Sequence, residues 1–421
     1  MTTDTAIEHQ TGRADVVVLP LEIPGQLAPA YGQSFWFSYL ANSSLMVAIT
    51  LLYRYADFVT YLGGTELDLG WIVGVGMTGS LAMRFAQGAS IDRYGPRKIW
   101  LISLVLFVAS MLGHLAITSV SGPLIYALRI AFSTSIAGAF GASITAVSRR
   151  MPIARMAEVI GMLGTSGFIA MALGPTLGDV LLGAPGAGGT NLYWMFAIAA
   201  LLGMCSLACA MLATRGDRRP RARRRPPVLW LIRRYHPGPV LVMGMAVGIG
   251  VALPTTFLPT YAAQLGLERI GVFFTFYAIT AFMTRLLTRR FLQRFGVEPM
   301  MYCGIASLVI SLVLYLIVHH TWQLIFPGFF AGIAHAFLFP SVVATGSTAF
   351  PSRYRGLGTT VMLAMFDLGT LVGAPLAGII LHYSSPAGLA PYPTMFLTIA
   401  VLMAACGSYY AIARHGRWGA S

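Results

Sequence analysis

Residues 191–213 read NLYWMFAIAALLGMCSLACAMLA, a run with no charged side chain. A helix rises about 1.5 Å per residue, so such a run reaches across a hydrocarbon core of about 30 Å. Similar runs occupy 35–59, 69–91, 98–118, 122–148 and 157–183 before it. After it come 238–264, 270–290, 299–319, 322–348, 356–383 and 391–413. The runs are continuous rather than alternating, which predicts twelve spanning helices and not a barrel. Composition agrees: 57% of the 421 residues are hydrophobic and 10% are charged, and mean hydropathy is +0.73. A soluble domain carries about 25% charged residues. So few charges cannot cover a water-facing surface, and the outer surface is expected to face lipid.

The loops between the runs differ in charge. One set holds Arg93, Arg97 and Lys98, then Arg149, Arg150 and Arg155, the arginine-rich stretch 215–234, Arg289, Arg290 and Arg294, Arg353 and Arg355, and Arg414 and Arg417. In the alternate set the one basic residue is Arg269. Positive loops stay in the cytoplasm, so both termini are expected there, in the plasma (inner) membrane. The net charge of +14 is then a topological signal, not the footprint of a nucleic-acid partner. Residues 1–34 carry Asp4, Glu8, Asp15 and Glu22 against Arg13 alone. They lack the basic-then-apolar order of a signal peptide and read as a cytoplasmic tail. The domains expected are a bundle at 35–213, an Arg/Pro-rich linker at 214–237 resting on anionic headgroups, a bundle at 238–413 and a tail at 414–421. Cys205, Cys209, Cys303 and Cys406 fall in apolar runs and read as small core residues.

The two halves repeat. LAMRFAQGASIDRYG (81–95) matches FMTRLLTRRFLQRFG (282–296), which places Arg84 against Arg285 and Gly95 against Gly296, 201 positions apart. LGPTLG (173–178) matches GAPLAG (373–378), with Pro175 and Pro375 200 apart. The fold expected is an all-α integral membrane protein of two six-helix bundles related by a pseudo-two-fold axis along the membrane normal. A solute site then lies between the bundles near the midplane.

The turn between the second and third spans, GASIDRYGPRK (88–98), resembles the signature loop of the major facilitator superfamily, G-x-x-x-D-R-x-G-x-R-K. Gly88, Asp92, Arg93, Gly95, Arg97 and Lys98 match it. The resemblance covers the chain from about residue 35. It implies a monomeric secondary transporter working by alternating access on a small-molecule substrate, without a cofactor. Asp92 ends a helix, where the dipole disfavours an anion. It therefore calls for cationic partners or another helix's N-terminus; Arg149, Arg150 and the start of the eleventh span are the candidates. In the second copy Gln293 replaces the aspartate and Arg289 the first glycine.

GPTLGD (174–179) resembles the family's antiporter motif, G-P-x-x-G-G, with Asp179 in place of the last glycine. That resemblance implies export in exchange for protons. Gly174, Pro175 and Gly178, with Pro375 and Gly378 in the second half, read as hinges that let a helix bend and its neighbours approach closely. Arg129, in YALRIAFSTS, is similar to a functional arginine in the fourth helix of proton-coupled members, with Ser133 where glycine is usual.

Ionisable residues inside the spans cost roughly 2.5–3.5 kcal/mol each on insertion scales and are functional candidates. Asp367 lies near the middle of the eleventh span. It is a candidate site for a coupling proton or a substrate cation, or a fixed partner for an arginine. Arg129 is placed to bind an anion or to balance Asp367. His335 is titratable in the useful range or a packing residue. Arg84 and Arg285 are symmetric and read either as structural groups or as anion contacts. Arg54 and Asp57 read as an interfacial pair one turn apart. Phe35, Trp36, Tyr53, Tyr55, Tyr277, Phe329 and Phe330 are placed to line a pathway or to face core or lipid. The leading function is proton-coupled export. The alternatives are proton-coupled uptake or exchange of a small organic anion, and a non-transporting sensor or scaffold. No phosphate-cradling loop, metal-ligand cluster or catalytic constellation is legible, so neither an enzyme nor an ATP-driven pump is expected.

Overall fold

A computed structural model describes residues 31–150, 155–184, 191–216, 228–288 and 296–418. The first span is a broken helix: α1 (Gln33–Leu51), one 3-10 turn (Leu52–Arg54) and α2 (Tyr55–Tyr61). It is followed by α3 (Glu66–Tyr94), α4 (Pro96–His114), α5 (Pro123–Ser148), α6 (Met156–Leu182) and α7 (Asn191–Ala213). A short α8 (Val228–Tyr235) precedes the second half. That half holds α9 (Val240–Gln264), α10 (Gly271–Leu287), α11 (Val297–Leu314), α12 (Ile325–Thr348), α13 (Arg355–Ser384) and α14 (Pro391–Trp418). Among the described residues, 11 segments are long and apolar enough to cross a bilayer. The twelfth, α10, is apolar but 17 residues long; the end of its expected span, 289–290, lies outside the described residues.

In lipid every backbone donor must be satisfied within the segment, so these runs become helices and their ends follow local chemistry. α4 and α5 start on proline, which has no donor to lose in a first turn. α3 starts on a capping box in which Thr65 and Asp68 satisfy each other's backbone N–H. Gly95 and Gly296 both adopt positive φ, +88° and +79°, where the chain turns into α4 and α11.

The repeat is visible in the helix starts. Pro96 and Val297 are 201 positions apart, Pro123 and Ile325 202, and Asn191 and Pro391 200. Within the first half α1 packs on α6 and α7, and α5 on α3 and α4; within the second, α9 packs on α13, and α12 on α10 and α11. The halves meet along α3 against α13 and α6 against α10, two interfaces that the repeat relates. Close approach is possible because small residues face each other. A Cβ on Gly74 would lie 2.5 Å from Pro375 Cγ, and one on Gly378 2.7 Å from the Glu66 carbonyl oxygen. Overpacking of this kind costs about 1–3 kcal/mol. Gly74→Ala is therefore expected to lower the melting temperature in detergent by several degrees. Gly161→Ala, where nothing lies within 4 Å, should not.

One expectation, on the cysteines, needs correction. Within the expected linker 214–237 the apolar VLWLI opens α8, with Leu231 buried and Leu229 and Trp230 exposed. Residues 217–227 lie outside the described residues. Cys205 and Cys303 are exposed on the bundle surface, while Cys209 is buried; a lipid-facing side accepts the same small apolar residues as a core. Arg54 and Asp57 pair with each other as expected (2.5 Å) and are buried within the protein, at 1% and 8% exposure, for a reason that belongs to the site. Among the aromatics, Phe35, Tyr55 and Tyr277 are buried, whereas Trp36 and Phe329 face outward.

Candidate functional site

Asp367 projects from the middle of α13 into the interface with α3. Ser80 Oγ donates to its Oδ2 at 2.6 Å, Arg84 Nη2 donates to its Oδ1 at 3.3 Å, and Arg84 Nε closes an ion pair on Oδ2. Both charged side chains are largely buried, at 15% and 13% exposure. Ser80 and Arg84 are one helical turn apart, so one face of α3 presents both donors to a single carboxylate. The expected balance between Arg129 and Asp367 is corrected: the counter-charge is Arg84, from the other half.

Arg285, the repeat mate of Arg84, has no such partner among the described residues. Its guanidinium lies 4.7 Å from the centroid of the Phe168 ring, and its Nε is buried without a hydrogen bond. The structure breaks the symmetry that suggested a shared structural role. At the repeat offset Ala281 stands where Ser80 stands, and Gly167 where Asp367 stands. His335, on α12, stacks on Phe339 (5.3 Å between centroids, 9°) and meets Tyr277 (5.6 Å, 60°). Its Nδ1 is also buried and unpartnered. Phe168, the ring under Arg285, also meets the His335 ring edge-on (6.3 Å between centroids, 82°).

Arg129 is 8% exposed and sits between the rings of Tyr55 (4.4 Å) and Phe132 (4.7 Å). Its Nε and Nη1 have no hydrogen-bond partner among the described residues. Cation–π contacts at buried sites contribute about 2 kcal/mol, less than a charge-assisted hydrogen bond network would. Behind Tyr55 lies His114, fully buried, with its Nε2 3.5 Å from the tyrosine hydroxyl and its Nδ1 2.7 Å from the Ser110 carbonyl oxygen.

A second polar cluster closes the end of the molecule away from the basic loops. Arg54 donates to Asp57 (2.5 Å), to Asp179 Oδ1 (2.8 Å) and to the Gly183 carbonyl (3.1 Å). Asp179 crosses to the other half, accepting from the backbone N–H of Gly271 (2.6 Å) and Ile270 (3.3 Å). It thereby caps α10, which has no side-chain cap of its own. An anion is favoured at a helix N-terminus, and it satisfies donors that burial would leave orphaned. Sequence reasoning paired Arg54 with Asp57 but missed Asp179 as the second partner and as the cap of α10. The signal was there: TELD before α3 caps itself, whereas ERIG before α10 does not.

Gly174 and Gly178 face α1 in the same region. A Cβ on Gly174 would lie 2.7 Å from Leu51 N, and one on Gly178 2.8 Å from Arg54 Cγ. Pro175 lies inside α6 and Pro375 inside α13. The hinge residues are thus close-packing positions around Arg54 and the α3–α13 contact. Further ties at this end join Tyr53 to Phe274 (4.8 Å between centroids) and Tyr392 to Glu66 (3.3 Å).

At the basic end, Gly88, Asp92 and Arg93 lie in the last turns of α3, and Arg97 and Lys98 in the first turn of α4. Arg93 and Lys98 both approach the Tyr94 ring, at 5.2 and 5.6 Å. Arg150 donates to Ser34 Oγ and the Ala213 carbonyl, tying α5 to α1 and α7.

Repeated six-helix halves with ionisable side chains buried at their seam define a polytopic membrane carrier. The family model described as Major Facilitator Superfamily matches residues 34–272 and 240–417. The chain belongs to that superfamily and is a membrane transporter of its type. It is 24% identical over 381 residues to the MFS-type transporter YhhS of Escherichia coli strain K12, covering 87% of this chain and 88% of the relative. A putative tartrate transporter of Agrobacterium vitis is 28% identical over 128 residues, 30% of this chain and 27% of its own. Among solved structures, the nucleoside transporter NupG superposes with a TM-score of 0.70 at 14% identity, covering 91% of this chain and 99% of that one.

Proposed function

We propose that the protein is a secondary active transporter, a monomer of the inner membrane, that moves a small organic solute by alternating access with a proton as coupling ion at Asp367. The observation that carries this is the carboxylate held between halves by Arg84 and Ser80. A proton on Asp367 removes the charge that holds Arg84. It thus loosens α3 from α13 and frees a cation for another ligand. One titration is coupled in this way to a movement of the halves.

By the positive-inside rule the basic loops and both termini face the cytoplasm. The Arg54–Asp179–α10 cluster then closes the outer side, and the arrangement is inward-facing. Gly88, Asp92, Arg93, Gly95, Arg97 and Lys98 form the cytoplasmic gating loop of the alternate state. The 35–213 and 238–413 bundles are the moving bodies. Export in exchange for protons is supported by the resemblance of GPTLGD to the antiporter motif. The second reading, proton-coupled uptake or exchange of a small organic anion, is favoured by the unpartnered donors of Arg129 and Arg285.

The test is reconstitution into vesicles with an internal pH dye and a panel of organic solutes. The expected result is proton movement driven by an imposed solute gradient. A solute that crosses at the same rate with no proton movement would overturn the coupling.

A further inference from the structure

The two seams between the halves are built from one repeat, yet among the described residues only one pairs its arginine with a carboxylate. At the first, Arg84 meets Ser80 and Asp367. At the second, the positions matching Ser80 and Asp367 hold Ala281 and Gly167, neither of which can pair with a cation, and the Arg285 guanidinium lies over the Phe168 ring instead. Leaving one member of a buried charge pair alone is strongly unfavourable, so an anion arriving here gains what the first seam already has.

Beside this cation is a pocket between α9, α10, α11 and α12, reached from the other half by Met171. Val247, Val251, Pro254, Phe274, Leu308 and Leu338 line it. Two of its hydroxyls are already committed to backbone carbonyls: Thr255 to Val251 (2.8 Å) and Ser311 to Pro327 (2.8 Å). They offer no donor to a sugar or a polyol. Tyr315 leaves one unpartnered hydroxyl in the lining, and His335, also in the lining, meets both Tyr277 (5.6 Å between centroids) and the Phe168 ring that lies under Arg285 (6.3 Å).

We propose that the solute itself supplies the missing carboxylate: Arg285 and His335 bind the carboxylate of a small organic acid, and its apolar, preferably aromatic body fills the adjoining pocket. The guanidinium makes charge-assisted hydrogen bonds to the carboxylate, and the imidazole nitrogen completes them. The rings of Phe274, Tyr277 and Tyr315, which line the pocket, accept a flat body edge-on or offset. A polyhydroxylated acid is disfavoured, because its hydroxyls lose water without finding partners. The inference rests on the transporter reading and names its substrate class.

The test is equilibrium binding to the purified native protein in detergent, with benzoate, benzamide and tartrate as probes. No gradient is present, so the result is separate from proton coupling, which Asp367→Asn in vesicles addresses. Benzoate is expected to bind at least about tenfold more tightly than benzamide or tartrate. Arg285→Gln is expected to weaken benzoate by a similar factor while leaving benzamide unchanged, and Arg285→Lys to restore part of the loss. No benzoate binding by folded native protein would overturn the proposal, as would equal affinity for benzamide or tartrate. So would benzoate affinity unaltered in Arg285→Gln. Should that variant fail to elute as a single species, the probe ratios on the native protein decide alone.

Discussion

Asp367→Asn is expected to abolish solute-driven proton movement in vesicles, down to the rate of empty membranes, while the protein still inserts and elutes as one species. Asparagine fills the same space and still accepts from Ser80, but it cannot take up a proton and carries no charge for Arg84. The guanidinium is then left mostly buried without a counter-charge. Losing one member of such a pair costs about 3 kcal/mol, on the order of a hundredfold in the equilibrium it supports. The melting temperature should fall with it. Arg84→Gln combined with Asp367→Asn should recover most of that stability, because no charge is left alone, and should not recover proton movement. The non-additivity in stability is the signature of direct pairing across the halves. Proton movement that survives Asp367→Asn would place the coupling site elsewhere and leave the Arg84 pair a structural tie.

The second large effect is expected at the opposite end. Asp179→Ala removes two hydrogen bonds to the first donors of α10 and one of the two carboxylates that hold Arg54. Hydrogen bonds to a charged group contribute about 1.5–3 kcal/mol each, so the closed state should lose on the order of tenfold or more in population. The readout is labelling of a cysteine introduced at Tyr53, which packs on Phe274 beneath the cluster, by a membrane-impermeant maleimide in a background with the four native cysteines replaced. The labelling rate should rise by about the same factor. Gly271→Ala should act in the same direction by another route, since its Cβ would stand 2.8 Å from Asp179 Oδ2. Labelling at the native rate in both variants would mean that the cluster does not control opening.

Much of this molecule is legible along the chain. The spans, the alternation of loop charge, the 200-residue repeat and the signature loop are properties of sequence neighbours or of simple spacing. Asp367 and Arg84 could both be singled out because any charge is conspicuous in an apolar run. Their pairing could not, since they lie 283 positions apart. A spanning helix is apolar on the side facing lipid as well as on the side facing protein. The polar–apolar stripe that tells a soluble helix which face is buried is therefore absent. For the same reason Cys205 read as core although it is exposed.

What the sequence by itself determined is that this chain crosses the membrane as two related halves, with few and countable charges inside. Hydropathy, charge bias and repetition act locally, and each can be summed residue by residue. Only the tertiary structure decided which of those charges meet: Arg84 with Asp367, Arg54 with Asp179, Asp179 with the first donors of α10, and Arg285 with no carboxylate among the described residues. Those pairings depend on the rotation of each helix about its axis and on the depth at which two halves come together. Packing of small side chains across the interface fixes both, and no single helix carries that information.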